Sequence, residues 1–559
     1  MMQKYDAIVV GSGITGGWAA KELCERGLKT LLLERGRDLK HGDYPTAQSD
    51  SWDLPNGGKL TREELEHYPV QRRSGYLDQP TRHLWVHDNE HPYHEESGFD
   101  WIRGNHVGGR SLTWGRQVYR WSDLDFEANA KEGIGVDWPI RYKDLAPWYD
   151  YVEKFIGVSG KSEGLQHLPD GSFLPAMEMN CIETYLTEQI REKYTDRIVT
   201  IGRVANLTMP HLGRGTCQYR DRCIRGCPFG AYFSSQSSTL PAAFATGLLD
   251  LRPHSVVKKI IFDEGSELAK GVRIIDAETM EEEVFESDLI FLNASTLATA
   301  QILLQSKSNR FPNGLGNDSG QLGKNLMDHH CYAGAQGQSD LFPDKYYKGR
   351  RANGIYVPRF RNTNAATTTG KYKRGFAYQG AGAREGWSRS IPEARFGAKF
   401  KEAALRPGKW TLGLIGFGEC LPYENNQISL HPSKKDGFGL PQISIDMRWQ
   451  ENELAMRADM MTDAQEMLEK AGFKNIRTFD QGKNPGSGIH EMGTARMGKS
   501  AETSVLNAHN QMHGVRNVFV TDGACMTSSA CQNPSLTYMA LTVRAVSYAV
   551  DLWSKKALQ

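Results

Sequence analysis

Three cysteines lie close together in the stretch TCQYRDRCIRGCPFG, at residues 216–230. They are Cys217, Cys223 and Cys227, and a proline follows the last of them. A disulfide uses two thiols, and a closed structural zinc site has four ligands. Four interpretations stay open: unrelated buried thiols, a disulfide with a spare thiol, a zinc site completed by His211, or an iron–sulfur cluster. Several thiolates in a tight loop that closes on Cys-Pro are typical of a cluster.

A second stretch with chemical meaning, GSGITG, follows the apolar run YDAIVV at the start of the chain. Its Gly11, Gly13 and Gly16 form the pattern G-x-G-x-x-G between a predicted strand and a predicted helix. The first glycine permits a tight turn, the second lets a pyrophosphate approach, and the third lets the helix pack on the strand. Glu34, at the end of the next predicted strand, is placed to accept a hydrogen bond from a ribose hydroxyl. The pattern predicts a site for NAD(P) or FAD.

Alternating strands and helices at both ends of the chain would position these motifs. Residues 5–10, a helix that ends at Gly27, and residues 28–34 form a predicted βαβ unit. The last part of the chain, from NVFVTDG, is predicted as a strand, a loop and a terminal helix. We therefore predict an α/β fold with a discontinuous Rossmann-type domain, in which helices cover a parallel sheet. Other strands are predicted at residues 255–262, 271–276 and 288–295, and a helix at residues 296–305.

The middle of the chain predicts a second domain. Residues 42–100 are polar and are predicted to run over the surface. Residues 331–485 contain runs such as QISLH and QISIDMRW, which indicate a mixed or antiparallel sheet, and a long helix at about residues 451–470. The predicted segments are the first part of a nucleotide-binding domain at 1–330 (with the cysteine loop at 211–230), a substrate domain at 331–485, and the second part of the first domain at 486–559.

The composition excludes several classes of function. The chain has 559 residues and a formal net charge of +1, so no strong basic field attracts nucleic acid. No stretch approaches the ~18 consecutive apolar residues of a transmembrane helix, and no membrane span is predicted. The N-terminus runs directly into a strand, so no signal peptide is visible. The nine cysteines are otherwise scattered, which argues against a secreted disulfide scaffold.

Four further motifs, in their order along the chain, make the sequence resemble one enzyme family. They are HVGGRSLTWG from residue 106, GQLGKNLMDHH from residue 320, IHEMGTARMG from residue 489 and NVFVTDGACMTSSACQNPSLTYMAL from residue 517. Together they resemble the glucose–methanol–choline (GMC) family of FAD oxidoreductases over nearly the whole chain. The resemblance implies that the dinucleotide is FAD and that the region 331–485 forms most of the substrate domain.

The resemblance also implies two catalytic residues. His490 matches the family's histidine before its Gly-Thr-x-Arg-Met-Gly run, and Asn533 matches a second position that is His or Asn in the family. An imidazole is suited to take a hydroxyl proton near neutral pH as hydride leaves the carbon. An amide can orient the substrate oxygen without competing for the proton. Asn533 and Pro534 are also predicted as N-cap and first residue of the terminal helix, whose positive end would face the flavin.

Three predicted FAD contacts have specific roles. Some members of the family attach FAD to a histidine four residues after a Gly-Gly pair, and Thr113 occupies that position here, so we predict non-covalent FAD. Val257 matches the position whose backbone meets the adenine, and Asp522 matches an acidic residue that contacts FAD. The full set of predicted FAD-binding residues is Gly11, Gly13, Ile14, Thr15, Gly16, Glu34, Arg35, Gly108, Gly109, Ser111, Thr113, Trp114, Val257, Asp522, Asn533 and Pro534.

The spacing C-x5-C-x3-C resembles a bacterial subgroup of the family, the dye- or cytochrome-linked sugar dehydrogenases. This resemblance implies that Cys217, Cys223 and Cys227 hold a [3Fe–4S] cluster close to FAD. Within the subgroup, HEMGTARMG and NPSLTYMALTVRA are most similar to glucoside 3-dehydrogenases, which oxidise the C3 hydroxyl of glucosides. Related catalytic subunits pair with a small subunit, which often supplies the export signal, and pass electrons to a cytochrome or another acceptor. Both a cytoplasmic and an exported, periplasmic protein fit this pattern.

The sequence therefore predicts an FAD-dependent sugar dehydrogenase that forms a 3-keto sugar and passes electrons through a cluster. Alternatives remain at this point. They are a sugar or alcohol oxidase that uses oxygen, a gluconate-, glucose- or fructose-type dehydrogenase with different regiochemistry, a lyase or isomerase that keeps FAD as scaffold or transient acceptor, and a non-catalytic electron-transfer subunit.

Overall fold

The computed structural model describes residues 4–347, 351–386 and 397–558. The strands, in chain order, are β1 (Lys4–Val10), β2 (Thr30–Leu33), β3 (His94–Glu95), β4 (Val158–Ser159), β5 (Phe173–Leu174), β6 (Thr200–Ile201), β7 (Leu249–Arg252), β8 (Ser255–Asp263), β9 (Leu268–Asp276), β10 (Glu282–Leu292), β11 (His330–Ser339), β12 (Ile355–Val357), β13 (Phe376–Arg384), β14 (Trp410–Gly418), β15 (Gln427–Lys435), β16 (Pro441–Asp446), β17 (Lys474–Asp480) and β18 (Val518–Val520). The helices are α1 (Ile14–Glu25), α2 (Arg62–Leu65), α3 (Asp123–Phe126), α4 (Ala128–Glu132), α5 (Tyr142–Ile156), α6 (Cys181–Lys193), α7 (Thr239–Ala245), α8 (Thr296–Gln305), α9 (Ala398–Leu405), α10 (Glu451–Lys470) and α11 (Ser535–Ser554).

The first sheet has seven strands and forms the dinucleotide-binding unit. Its order is β7-β2-β1-β10-β9-β8, and β18 pairs with the second half of β10. Strands β7, β2, β1, β10 and β18 are parallel, whereas β9 and β8 are antiparallel. The apolar runs of β1, β2 and the end of β10 are buried, as strands covered on both faces require. Elements from both ends of the chain therefore share one sheet.

The second sheet has six strands in the order β17-β11-β14-β13-β12-β6 and is antiparallel throughout. Residues of β14 alternate between buried and half-buried, because one face packs on α10 and the other faces a cavity. Met456, Met460 and Met467 of α10 pack against Leu412 and Leu414 of β14 in a buried cluster. The predicted α/β fold, with a mixed or antiparallel second sheet, is confirmed.

Two differences from the predicted elements concern the long segments. Residues 42–100 do not run only over the surface, because Tyr68 and Trp85 are buried in a small core of their own and β3 pairs with β16. The second sheet also takes β6 from before residue 331. Helices α8 and α10, in contrast, have the predicted bounds. In the part of the chain that the structure describes, no helix is long and apolar enough to cross a membrane.

Candidate active site

A cavity of about 1730 Å³ extends from the carboxyl ends of β1 and β10 to the open face of the second sheet. It lies where a doubly wound sheet binds its ligand. Most of the predicted site residues line it: Gly11, Gly13, Ile14, Thr15, Glu34, Arg35, Gly109, Ser111, Thr113, Trp114, Cys223, Val257, His490, Asp522 and Asn533. Five predicted site residues do not line it: Gly16, Gly108, Cys217, Cys227 and Pro534.

The glycines of the β1–α1 turn have distinct physical roles. Gly11 has a φ of +93°, and a Cβ there would lie 2.4 Å from the carbonyl oxygen of Asn293. A Cβ on Gly16 would lie 1.7 Å from the carbonyl oxygen of Gly11, so this glycine lets α1 pack on the turn. A Cβ on Gly13 would meet no atom of the protein within 4 Å. The second glycine therefore faces open cavity, which is the space that a pyrophosphate needs.

The carboxylate of Glu34 links the β1–α1 turn to the end of β2 by hydrogen bonds. One carboxylate oxygen accepts hydrogen bonds from the backbone N–H and the hydroxyl of Ser12, at 3.1 and 2.5 Å. The other oxygen accepts from the backbone N–H of Gly36 at 3.0 Å. Burial raises the pKa of Glu34, and these hydrogen bonds oppose that rise. Glu34 therefore organises the loop, and its predicted contact with a ribose hydroxyl stays a prediction.

The Gly108–Gly109 loop is held against the same turn. The backbone N–H of Gly108 donates to the hydroxyl of Ser12 at 2.9 Å. The hydroxyl of Ser111, a predicted FAD contact, donates to the carbonyl of Gly108 at 2.5 Å. This hydroxyl is therefore engaged by a hydrogen bond within the loop. Thr113 lines the cavity at the position of the family's covalent histidine, and its hydroxyl is 3.5 Å from the carbonyl oxygen of Arg110. A threonine supplies no imidazole, which is consistent with non-covalent FAD.

Four further predicted FAD contacts lie at the cavity wall. The indole N–H of Trp114 donates to the carbonyl of Phe233 at 2.9 Å. Arg35 lies 3.4 Å from Asp436, on a different segment. Val257 lies next to a bulge where β8 and β9 lose register. Asp522 accepts hydrogen bonds from the hydroxyl of Thr299 and the backbone N–H of Ala524, and burial raises its pKa to about 6.

The terminal helix begins one residue later than predicted. Pro534 occupies the N-cap position and α11 begins at Ser535, with no side-chain cap. The prediction that Asn533 caps the helix is therefore wrong. Its amide is used elsewhere, because the Gln379 amide donates to Asn533 Oδ1 at 2.8 Å and Asn533 Nδ2 is 3.4 Å from Nε2 of His490. The positive end of α11 still faces the cavity, which Ser535 lines.

Asp328 holds the loop that carries His490. Its carboxylate accepts hydrogen bonds from the backbone N–H groups of Gly486, Gly488 and His490, each at 2.9 Å. Burial, and next the charge of Glu491, raise the pKa of Asp328 to about 7. This side chain was not predicted as a site residue, although it lies in the GQLGKNLMDHH motif. The loop geometry therefore depends on one buried carboxyl group.

Two histidines and an amide form a continuous hydrogen-bonded row. His329 Nε2 lies 3.0 Å from the carbonyl oxygen of Ala530, which can only accept, so we assign the proton of His329 to Nε2. Burial lowers the pKa of His329 to about 4, so the ring is neutral and its Nδ1 accepts from His490 Nδ1 at 2.9 Å. The lone pair of His490 is then on Nε2, beside Asn533. This nitrogen faces the cavity and can accept a proton.

The environment of His490 favours its neutral form. Burial lowers the pKa of His490 well below the usual value, and the charge of Arg110 adds to this effect. Arg110 is held beside the loop by an ion pair with Glu491 at 2.8 Å. A neutral imidazole is the form that takes a proton. The imidazole of His490 is therefore in the neutral form, which can accept a proton but cannot act as an acid.

A row of amides forms one wall of the cavity, and the sequence did not reveal it. The side chain of Gln117 donates to Asn353 at 3.0 Å and to Gln379, and all three side chains line the cavity. The hydroxyl of Tyr119 donates to Gln117 at 2.5 Å. The alternation of β13 places Gln379 on the cavity side, but only the pairing with β14 shows which side that is.

The cysteine loop brings its thiols into one neighbourhood. All nine cysteines are free thiols. Burial raises the pKa of Cys217, and the nearby Cys223 and Cys227 raise it further. His211 Nε2 lies 2.8 Å from the carbonyl oxygen of Lys154, so this nitrogen is already engaged. Among the residues that the structure describes, no group of three or more His, Cys, Asp or Glu side chains is assembled to hold a metal ion.

The cavity suits FAD by its shape and by its free polar atoms. Gly13 leaves room for the pyrophosphate. The side-chain nitrogen of Asn293 and the hydroxyl of Tyr538 are buried, have no hydrogen-bond partner and line the cavity. Buried polar atoms are normally satisfied, so these two are consistent with a polar ligand. If FAD binds, the turn around Gly11 and Gly13 would hold its phosphates.

The fold and the cavity at the carboxyl ends of the parallel strands define a dinucleotide-binding protein. The chain belongs to the GMC oxidoreductase family: its N-terminal part matches the family over residues 5–331 and its C-terminal part over residues 422–542. Members of the family bind FAD and act on CH–OH groups. The predicted family and the predicted FAD cofactor are confirmed, and the protein is an FAD-dependent oxidoreductase of CH–OH groups.

Similar proteins span almost the whole chain. A 2-methyl-1,2-propanediol dehydrogenase of Mycolicibacterium austroafricanum is 27% identical over 558 residues, 97% of this chain and 94% of the relative. The fructose dehydrogenase large subunit of Gluconobacter japonicus is 22% identical over 552 residues, 97% of this chain and 96% of the relative. The structure of pyridoxine 4-oxidase from Mesorbium loti superposes with a TM-score of 0.60 at 15% identity, covering 98% of this chain and 99% of the other. This structural likeness shows the fold alone.

Proposed function

We propose that the protein is a sugar dehydrogenase that oxidises a secondary hydroxyl of a glucoside, at C3, to a keto sugar. The observation that carries this proposal is the row from His329 through His490 to Asn533, which leaves an unprotonated nitrogen facing the cavity. FAD, when bound, accepts the hydride of the alcohol carbon. His490 Nε2 takes the hydroxyl proton, and this is general-base catalysis, worth about 10²–10⁴-fold in rate.

The amide wall supports a polyhydroxylated substrate. Asn533 Nδ2 is free to donate to the substrate oxygen as well as to His490, because Gln379 fixes the amide with Oδ1 turned away. Gln117 and Asn353 extend the same polar surface. Amides both donate and accept hydrogen bonds, as adjacent sugar hydroxyls require. The resemblance of HEMGTARMG and NPSLTYMALTVRA to glucoside 3-dehydrogenases favours C3.

We also propose that Cys217, Cys223 and Cys227 hold a [3Fe–4S] cluster. Three free thiols that influence one another's pKa from one short loop supply the right donor chemistry and number. Cys223 lines the FAD cavity, which supports a centre close to the flavin. When bound, the cluster would accept electrons singly. The similar fructose dehydrogenase is named as a large subunit, which favours a smaller partner subunit and a cytochrome or other acceptor here.

An anaerobic titration across a substrate panel tests the proposed function. The panel contains methyl glucosides, glucose, fructose, gluconate and 2-methyl-1,2-propanediol, and the bleaching of the flavin absorbance is followed. We expect the glucosides to bleach the flavin fastest and the product to be the 3-keto sugar, identified by NMR. Fastest bleaching by the diol, or oxidation at another carbon, would contradict the substrate assignment. Rapid peroxide formation in air with an iron-free protein would instead favour an oxidase.

The role of His490 has a separate test. His490→Ala removes the base, so flavin reduction by the preferred sugar should fall by about 10²–10⁴-fold while FAD stays bound. The rate is measured by anaerobic stopped-flow absorbance, and the flavin content by the ratio of absorbances. Near-normal reduction by the variant would eliminate His490 as the base.

A further inference from the structure

The residue before His490 has an unfavourable backbone conformation. Ile489 has a φ of +60°, in the left-handed region that β-branched residues rarely adopt. Its backbone N–H donates to the carbonyl oxygen of Gly486 at 3.1 Å, which closes a tight turn. Its side chain packs against the buried Tyr68 and Trp85. Such a conformation persists only when the surrounding structure holds it, and it is found mainly at functional sites.

The carboxylate of Asp328 provides the hydrogen bonds that hold this turn. The residue is fully buried. Oδ2 accepts from the backbone N–H groups of Gly486 and Gly488, and Oδ1 accepts from that of His490, each at 2.9 Å. A Cβ on Gly488 would lie 2.6 Å from Oδ1, so the backbone of the turn packs directly on the carboxylate. The three N–H groups lie on both sides of Ile489 along the chain and therefore fix its conformation.

The same short segment holds both the backbone and the ring of His490. Asp328 binds the backbone N–H of His490, and the neighbouring His329 accepts from its Nδ1 at 2.9 Å. On the other side of the loop, Met327 and Met492 exchange two backbone hydrogen bonds, at 2.9 and 2.8 Å. The imidazole thus has a fixed backbone behind it, which lets one hydrogen bond to the ring determine its orientation.

We propose that Asp328 is a positioning residue for the base: its three hydrogen bonds hold the left-handed turn at Ile489, and this turn determines where His490 Nε2 lies in the cavity. The inference rests on the proposed role of His490. Asp328 does not line the cavity, so it acts through the loop backbone and not on the substrate or the flavin. Without its carboxylate, the turn would relax to a negative φ, and the imidazole would leave its place beside His329 and Asn533.

The first test replaces the carboxylate by an amide of the same size. Asp328→Asn presents an N–H₂ group to at least one backbone N–H, so one or more of the three hydrogen bonds is lost. We expect the rate of flavin reduction at saturating sugar to fall by about 10–100-fold, because a displacement of about 1 Å has an effect of this size. The sugar concentration at half-maximal rate should stay within threefold, because the amide wall that binds the sugar is unchanged. Both values come from anaerobic stopped-flow absorbance.

Asp276→Asn is the matched control. Asp276 also accepts two backbone N–H groups, those of Glu278 and Thr279 at 2.9 and 3.1 Å, but it does not line the cavity or contact the loop of His490. The control should reduce flavin at the wild-type rate within threefold. Equal losses in the control and in Asp328→Asn would overturn the positioning role.

A second test uses the strain at Ile489. Glycine adopts a positive φ without cost, so in the Ile489→Gly background the turn needs less support. We expect Asp328→Asn to slow flavin reduction at least threefold less in this background than in the wild type. A general loss of stability would behave in the opposite way, because Ile489→Gly also removes the packing on Tyr68 and Trp85. Additive losses would overturn the proposal.

The outcomes separate this inference from the proposed function. A slow His490→Ala together with a wild-type Asp328→Asn overturns the positioning role and leaves the base in place. Near-normal reduction by His490→Ala overturns both. Flavin content and thermal midpoint check the fold of each variant. If Asp328→Asn does not retain FAD, Asp328→Ser is measured under the same criterion.

Discussion

His329 determines which nitrogen of His490 carries the proton and which presents its lone pair to the cavity. The carbonyl oxygen of Ala530 fixes the proton of His329 on Nε2, and the free Nδ1 then fixes the proton of His490 on its own Nδ1. A histidine in the other tautomer would present an N–H to the cavity and could not accept a proton. The tautomer of His490 therefore depends on a side chain that lies behind it and is itself fully buried.

Replacement of His329 provides a test with a matched neighbour. His329→Leu frees the tautomer of His490, so flavin reduction should fall by about 10–100-fold, as expected for the loss of one orienting hydrogen bond. His330→Leu should cost less than threefold, because His330 is as buried as His329 but makes no hydrogen bond to His490. Both rates are measured by stopped-flow reduction with the preferred sugar. Equal losses in the two variants would contradict the orienting role.

The pH profile of His329→Leu gives a second readout. His329 is neutral and accepts the hydrogen bond of His490 Nδ1, an interaction that supports the protonated form of His490. Its removal should lower the apparent pKa of flavin reduction, so on acidification the rate should begin to fall at a lower pH. An unchanged profile would indicate that His329 acts only by packing.

At the scale of elements, two glycines of the β1–α1 turn have different roles, because one is needed for packing and the other borders open space. The close contact of Gly16 with the carbonyl oxygen of Gly11 belongs to helix–strand packing. The space at Gly13 is open, since no protein atom lies within 4 Å of a Cβ built there, and we propose that the pyrophosphate of FAD occupies it. Gly13 also has a φ of −66°, which any residue can adopt.

This difference predicts opposite behaviour of two alanine variants. Gly13→Ala should keep the thermal midpoint of the FAD-free protein within a few degrees but weaken FAD binding by at least tenfold, because the methyl group enters the pyrophosphate space. Gly16→Ala should fail to fold or lose much of its stability. Thermal unfolding and FAD titration by fluorescence measure the two effects. A Gly13→Ala protein with normal FAD affinity would show that the phosphates lie elsewhere.

The cysteine loop is a second element with a direct test. Cys223→Ser should reduce bound iron and labile sulfide to less than about a third of the wild type, because a cluster needs several thiolate ligands. FAD content should not change. Cys181→Ser, at an equally half-buried cysteine at the start of α6, is the control and should keep its iron. Iron is measured by a chromogenic assay after anaerobic purification, and equal iron in both variants would contradict the cluster.

At the scale of the whole molecule, buried carboxyl groups link stability to pH. Glu419 is 1% exposed and lies 3.3 Å from Arg374, itself fully buried. Burial raises the pKa of Glu419 to about 7, and the charge of Arg374 only partly opposes this. A raised folded-state pKa gives stability that is complete below the unfolded pKa and is lost as pH rises through the folded one.

The free energy of unfolding should therefore decrease between about pH 5 and pH 8. The contribution of Glu419 is up to about 3 kcal/mol, because its pKa rises from 4.5 to about 7. Glu419→Gln should flatten this decrease, whereas Glu424→Gln at an exposed site should leave it unchanged. Chemical denaturation at a series of pH values measures both. If the free energy of unfolding of Glu419→Gln decreased with pH as steeply as that of the wild type, another buried acid, such as Asp328, would be the main source of the pH dependence.

The sequence by itself determined the dinucleotide turn, the family and the positions of His490 and Asn533. The three glycines act within one turn, and helices α8 and α10 follow from local apolar spacing, so neighbours along the chain carry enough information. The residues 42–100 were misjudged because their polar composition hides buried side chains such as Trp85.

Only the tertiary structure decided how the site works. His329 and His490 are 161 positions apart, and Gln379 and Asn533 are 154 apart, so neither hydrogen bond has a local signature. The same contacts explain why Asn533 does not cap α11: its amide is more strongly required in the cavity, where an unpaired polar group is costly.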